Sequence, residues 1–175
     1  MKLFRFWCFM VSLTCAMTAG WVESHAQISE KGLPESFQVD LKEATIIPSF
    51  LLDSVRVEKM LAQDREFHID NRYGVVQPCT INIKEKGVKT HIQGKGTIWR
   101  YKIESEEAIS LGLYFTSYHL CPNAKVFIYD PSHLRLKGAF THRNNNSIKQ
   151  LPVADFAGKE MIIEYFEPLD AEFAG

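Results

Sequence analysis

From residue 79 onward the chain alternates apolar and polar positions in short runs separated by turn residues. Thr97 to Ser105 is the clearest: Trp99, Tyr101 and Ile103 fall on one face and Arg100, Lys102 and Glu104 on the other. A period of two predicts a half-buried strand. Ile109 to Tyr118 repeats the pattern with Leu111, Leu113 and Phe115 on one face, and Glu160 to Phe166 does so with Met161, Ile163 and Tyr165. Thr80 to Ile83 also alternates, ahead of a Lys84-Glu-Lys-Gly87 turn. Ala124 to Tyr129 is apolar at nearly every position, as in a central strand covered on both sides, and Leu134 to Phe140 reads as a shorter strand. Turn chemistry separates the runs at Pro122-Asn123, Asp130-Pro131, Arg143-Asn144-Asn145-Asn146 and Ala157-Gly158.

Many short strands joined by polar turns predict an all-β fold, an antiparallel β-sandwich or jelly-roll-like module over residues 79–168. Residues 27–78 form an extended lead-in with Gly32, Pro34 and Pro48, and one short helix is expected over Ser54–Gln63 with Asp53 or Ser54 as its cap. Residues 169–175 are a tail.

The N-terminus sets the compartment. Lys2 and Arg5 precede an apolar stretch from Phe6 to Ala19, and Ser24-His25-Ala26 matches a small-x-Ala cleavage site. The stretch is about 14 residues, short of the roughly 20 that span a bilayer. A cleaved signal peptide over 1–26 follows, with no transmembrane anchor, a mature start at Gln27, and an exported product that is periplasmic, cell-surface or secreted. Loss of Lys2, Arg5 and Glu23 moves the net charge from −1 to −2. A near-neutral surface of mixed sign gives no footprint for nucleic acid. Cys8 and Cys15 leave with the signal peptide, so Cys79 and Cys121 remain. In an oxidising compartment they either pair as a disulfide or stand as two buried thiols.

Candidate chemistry is thin. His119 and Cys121 superficially resemble the His-Cys dipeptide at a trypsin-like general base, but the spacing is off by one and no Gly-Asp-Ser-Gly segment supplies a nucleophile. His68, His91, His119, His133 and His142 form no His-x-His or His-Glu-x-x-His unit, and Asp130-Pro-Ser-His133 offers one carboxylate where calcium needs six or more oxygens. Glu104, Glu106 and Glu107 crowd a turn and read as solvated rather than as a glycosidase pair. The basic run Lys84, Lys86, Lys89, Lys95, Arg100 and Lys102 is interleaved with Glu85 and Glu104, an ordinary strand face. Trp99, Tyr101, Tyr114, Phe115, Phe127 and Tyr129 make either a core or an aromatic platform for a sugar. No catalytic, cofactor-binding or metal-binding residue is assigned, and no cofactor is expected.

A set of phrases carries a resemblance: Arg72-Tyr73-Gly74, Trp99-Arg100, Leu111-Gly-Leu-Tyr-Phe115, Pro122-Asn-Ala-Lys-Val-Phe-Ile-Tyr129, Gly138-Ala-Phe-Thr141, Asn144-Asn-Asn146 and Ile163-Glu-Tyr-Phe-Glu-Pro168. Together they resemble the non-catalytic N-terminal region of secreted bacterial trypsin-like serine endopeptidases of the lysyl endopeptidase type. Cys121 departs from that pattern, which usually has an apolar residue there. The resemblance covers roughly residues 72–168 and implies a propeptide or accessory β-sandwich ahead of a peptidase domain, which in that family follows where this chain stops at Gly175. On that basis the chain is a piece of such a protein or a module standing alone. Its expected partners are a peptidase domain encoded downstream or, for a stand-alone binding module, a glycan or cell-surface ligand.

Overall fold

The computed structural model describes residues 28–39 and 46–175; the signal peptide expected over residues 1–26 and its expected cleavage site lie outside them. Eight strands make two layers. The large sheet contains β1 (Ser49–Leu51), β2 (Val88–Ile92), β3 (Gly96–Glu104), β5 (Lys125–Tyr129), β6 (Leu136–Phe140) and β8 (Glu160–Pro168). The small sheet pairs β4 (Ser110–Phe115) with β7 (Leu151–Ala157). The chain leaves the large sheet for β4, returns for β5 and β6, leaves again for β7 and ends in β8, so both layers are laced by the same connections. This is the all-β sandwich that the repeated alternation predicts.

β8 is the spine. It pairs antiparallel with β3 along its whole length, Trp99 opposite Tyr165 and Arg100 opposite Glu164, and on its other edge with β5. The far edge of β3 is shared: β2 runs antiparallel along Gly96–Arg100, and β1 runs parallel along Lys102–Glu104. The β2–β3 hairpin turns at Gly94, whose φ of 73° lies where a side chain is strained, and Lys95 N–H closes the turn on Ile92 O at 3.1 Å. β6 bends at Gly138, with φ 105°; a Cβ there would sit 2.5 Å from Val126 O, so only glycine lets β6 approach β5 so closely.

Period two accounts for the core. Trp99, Ile103, Val126, Ile128, Met161 and Ile163 point from the large sheet toward Leu111, Leu151, Val153 and Phe156 of the small one. Leu113 and Phe115 pack against this core but remain half-buried, because β4 is an outer strand of a two-stranded layer. Cys121 is fully buried in the same core.

Three expectations need correction. First, β3 is not half-buried. Its second face carries Ile98 and Arg100, 0% and 7% exposed, and that face of the large sheet is covered by residues 28–39. Phe37 packs on Phe127, Tyr129 and Ile162, and Val39 packs beside Ile92, Ile98 and Phe166. The lead-in is thus a strap across the sandwich, anchored by a backbone pair between Glu30 and Ala139 at 2.9 Å in both directions. Second, Thr80–Ile83 is not a strand. Asn82 accepts the Lys84 N–H at 2.9 Å and caps a single helical turn, Ile83–Lys86, from which Ile83 still reaches the core. Third, the lead-in helix is α1, Val57–Phe67, later than the composition suggests. Arg56, without a side-chain bond, stands at its N-cap in place of Asp53 or Ser54, and His68 ends it in the left-handed region.

Candidate interaction site

The residues singled out for chemistry are mostly engaged in holding the fold. His119 is exposed and stacks on Phe173, ring centres 5.1 Å apart, while His133 stacks on Phe37 at 4.0 Å. Asp130 serves its own turn: Oδ1 accepts the Arg135 N–H at 2.7 Å, and Oδ2 receives the Ser132 hydroxyl and faces Arg135 Nη2 at 3.5 Å. These donors outweigh the burial that opposes its charge and hold its carboxyl below the ordinary range. Among the described residues no three His, Cys, Asp or Glu converge as a metal site.

Cys79 and Cys121 are both free thiols in the structure, so the bridge weighed from the cysteine count is not formed. The reason is placement. Cys79 is exposed in an irregular segment, whereas Cys121 is sealed inside the core, and burial pushes its thiol pKa up.

The carboxylates at the turn after β3 line a shallow groove of about 390 Å³ with Ser49, Leu51 and Lys159. Glu104 and Glu160 stand opposite each other in register, and Lys102 bridges them at 3.0 and 3.5 Å. Hydrogen bonding from Ser49, then from Lys102, holds the Glu104 carboxyl below its usual value. A glycosidase acid requires the reverse, a carboxyl kept protonated near neutral pH. The groove reads as an ion-paired sheet edge.

The basic run is likewise spent internally. Lys84 pairs with Glu167 at 2.7 Å and, with Lys89, lies over the Trp99 ring; Lys95 pairs with Glu35 at 2.9 Å. Arg100 is buried beneath the strap, and its Nε and Nη2 have no hydrogen-bond partner among the described residues. The Glu164 carboxylate opposite it is fully buried and fully engaged, accepting the Ser36 N–H at 3.1 Å and the Tyr129 hydroxyl at 3.0 Å. Of the six aromatics weighed as a sugar platform, Trp99, Tyr101, Phe127 and Tyr129 are buried and Phe115 is half-buried; Tyr114 alone stands in solvent.

Exposed apolar side chains occur along the described chain, at Ile109, Leu134 and Ile148 among others, and several lie in the lead-in. β1 is paired with β3 in the large sheet, and from it through α1 to Val76 the chain forms an arm tied to the sandwich at a few further points: Leu52 N–H to Glu104 O at 2.8 Å, Leu52 against the core, and the Tyr73 hydroxyl to Asp155. Within the arm Arg72 holds Asp64 at 2.7 Å. Leu51, Leu61, Phe67 and Val76 are 57%, 50%, 66% and 91% exposed. Four large apolar side chains exposed within one 26-residue segment are a candidate contact surface. Sequence reading missed this because the arm has neither strand period nor strong amphipathic period; only the absence of a packing partner reveals it.

No family model matches the chain, and no solved structure matches it. Among the described residues no helix is long and apolar enough to cross a membrane.

Proposed function

We propose that the chain is a non-catalytic accessory module of a secreted serine endopeptidase, and that it meets its peptidase partner through the arm of residues 50–76. The reading includes export, with cleavage before Gln27. The observation that carries it is the exposed apolar arm, standing off a sandwich whose own core is complete. Two features support it. The phrases that resemble the endopeptidase N-terminal region supply core and turn residues, such as Trp99, Ile128, Phe140 and Ile163, rather than reactive groups. The nucleophile, base and oxyanion donors of a hydrolase have to be assembled together, and the histidines and carboxylates described above serve turns, stacks and ion pairs instead.

The test separates partner from chemistry. Residues 27–175 and the peptidase domain encoded downstream are produced as separate chains and mixed. Co-purification is expected, and the double substitution Leu61→Asp, Phe67→Asp should abolish it while leaving the sandwich folded. The module alone should hydrolyse neither peptide nor ester. An absent peptidase reading frame, or hydrolysis by residues 27–175 that a point mutation within them removes, would defeat the reading.

A further inference from the structure

The outer face of the small sheet exposes aromatic surface and orders it at the same time. Ser110, Gly112 and Tyr114 of β4 share this face with Pro152 and Asp155 of β7, and Tyr114 stands opposite Pro152 in register. Tyr73 folds onto it from the arm. Tyr73 is 86% exposed and Tyr114 57% exposed. Each ring is nevertheless tethered at its tip, the Tyr73 hydroxyl donating to Asp155 Oδ2 and the Tyr114 hydroxyl to Gln150 Oε1. A side chain is normally fixed by burial; here two rings are fixed with their faces in water.

Between them the surface is open and polar. A bulge falls at Gly112, between Leu111 and Leu113. A Cβ at Gly112 would lie 3.1 Å from Asp155 Oδ1, so any side chain there would close the space over the carboxylate. Oδ2 is taken by Tyr73 and by Ser110 at 3.1 Å, while Oδ1 accepts no hydrogen bond among the described residues. Lys137, the nearest cation, is committed to the Ala154 and Asp155 carbonyls.

We propose that this face binds a neutral glycan chain. A pyranose presents a face of polarised C–H bonds and a rim of hydroxyls. The C–H face suits the electron-rich faces of Tyr114 and Tyr73, and a hydroxyl suits the free lone pairs of Asp155 Oδ1. The aromatic face of two strands measures roughly 10 by 20 Å. That is far below the ~800 Å² per partner of a stable protein interface, and it fits two or three sugar units. Acceptor oxygen at Asp155 and the commitment of Lys137 to backbone carbonyls select against an anionic glycan. This inference shares Tyr73 with the arm of the peptidase reading, and its other residues, Ser110, Gly112, Tyr114 and Asp155, lie on β4 and β7.

The experiment titrates residues 27–175 with cellohexaose, chitohexaose and xylohexaose, following the tyrosine resonances by NMR. At least one of the three should bind in the micromolar-to-millimolar range. Tyr114→Ala should weaken it about tenfold or more, Tyr114→Phe, which keeps the ring, by no more than about threefold, and Asp155→Asn measurably. Tyr114 is exposed, so a native circular dichroism spectrum is expected for both of its variants. The proposal falls if none of the three sugars shifts a resonance at millimolar concentration. It also falls if Tyr114→Ala binds as well as the native chain, or if that variant weakens a protein complex while the sugars remain inert.

Discussion

At the scale of single residues, side-chain amides and thiols carry more of this structure than any reactive group. The three consecutive asparagines look like an unremarkable polar loop, yet each one substitutes for backbone pairing. Asn144 accepts the Thr141 N–H and donates to Ile28 O, Asn145 takes both the N–H and the carbonyl of Leu120 at 2.9 and 2.8 Å, and Asn146 does the same for Gln150. Backbone groups outside the strand ladders are satisfied in this way. Turn composition made the loop legible; the distant partners, Ile28 for Asn144 and Leu120 for Asn145, were not. The cysteines show the same limit, because their number says nothing about their separation. In the chain beginning at Gln27, Cys79 should react promptly with a thiol reagent and Cys121 only on unfolding, since one is exposed and the other sealed in the core. Intact mass after native and denaturing labelling reads this directly: one adduct, then two. A mass showing no adducts even after unfolding without reductant would mean the two had paired.

At the scale of elements, period two identified β3, β4 and β8, and the inward set Met161, Ile163 and Tyr165 lies where alternation puts it. Alternation misled at Thr80–Ile83, because the same spacing serves a capped turn whose two isoleucines reach the core from outside any strand. It was silent about the strap, which has no period, and therefore about the burial of Arg100 and Glu164 on a face that reads as solvated. The parallel pairing of β1 was likewise invisible in a three-residue strand. The strap is held by Phe37, edge-on to Tyr129 at 4.8 Å and stacked on His133, together with the Ser36–Glu164 and Glu35–Lys95 contacts. Phe37→Ala should cost roughly 2–3 kcal/mol, less than the ~3–5 of a fully buried phenylalanine, because this ring is only half covered. A urea midpoint unchanged by that substitution would mean that the strap frays independently of the sandwich.

At the scale of the whole molecule, the two-layer architecture was readable from the number and spacing of strands, whereas the interaction surfaces were not, since exposure is a property of the finished fold. The packing has a collective consequence at high pH. Tyr118, Tyr129 and Tyr165 all have phenol pKa values pushed well above the ordinary range, in each case first by burial and next by a glutamate, Glu30, Glu164 and Glu167 respectively. Folded values raised above the unfolded ~10 mean that the fold favours the neutral phenols. Their contribution to stability is intact below about pH 10 and is lost as pH climbs from there toward the folded values. Phenolate absorbance from these three should therefore appear together with the loss of β-sheet dichroism, in one cooperative step. Smooth titration of every tyrosine with the dichroism unchanged would contradict the packing.

The position of β8 sets the order of assembly. It is the last strand of the large sheet to be synthesised, yet it lies between β3 and β5, which do not pair with each other. Until Glu160–Pro168 has left the ribosome, the early strands have no common partner and the layer cannot close. A chain so arranged waits, its large sheet open, until residue 168 has been made. Its contacts are also widely separated in sequence, which makes closure slow once it begins. On the export reading proposed above, delay of that kind is an asset, because the large sheet cannot close before β8 is made.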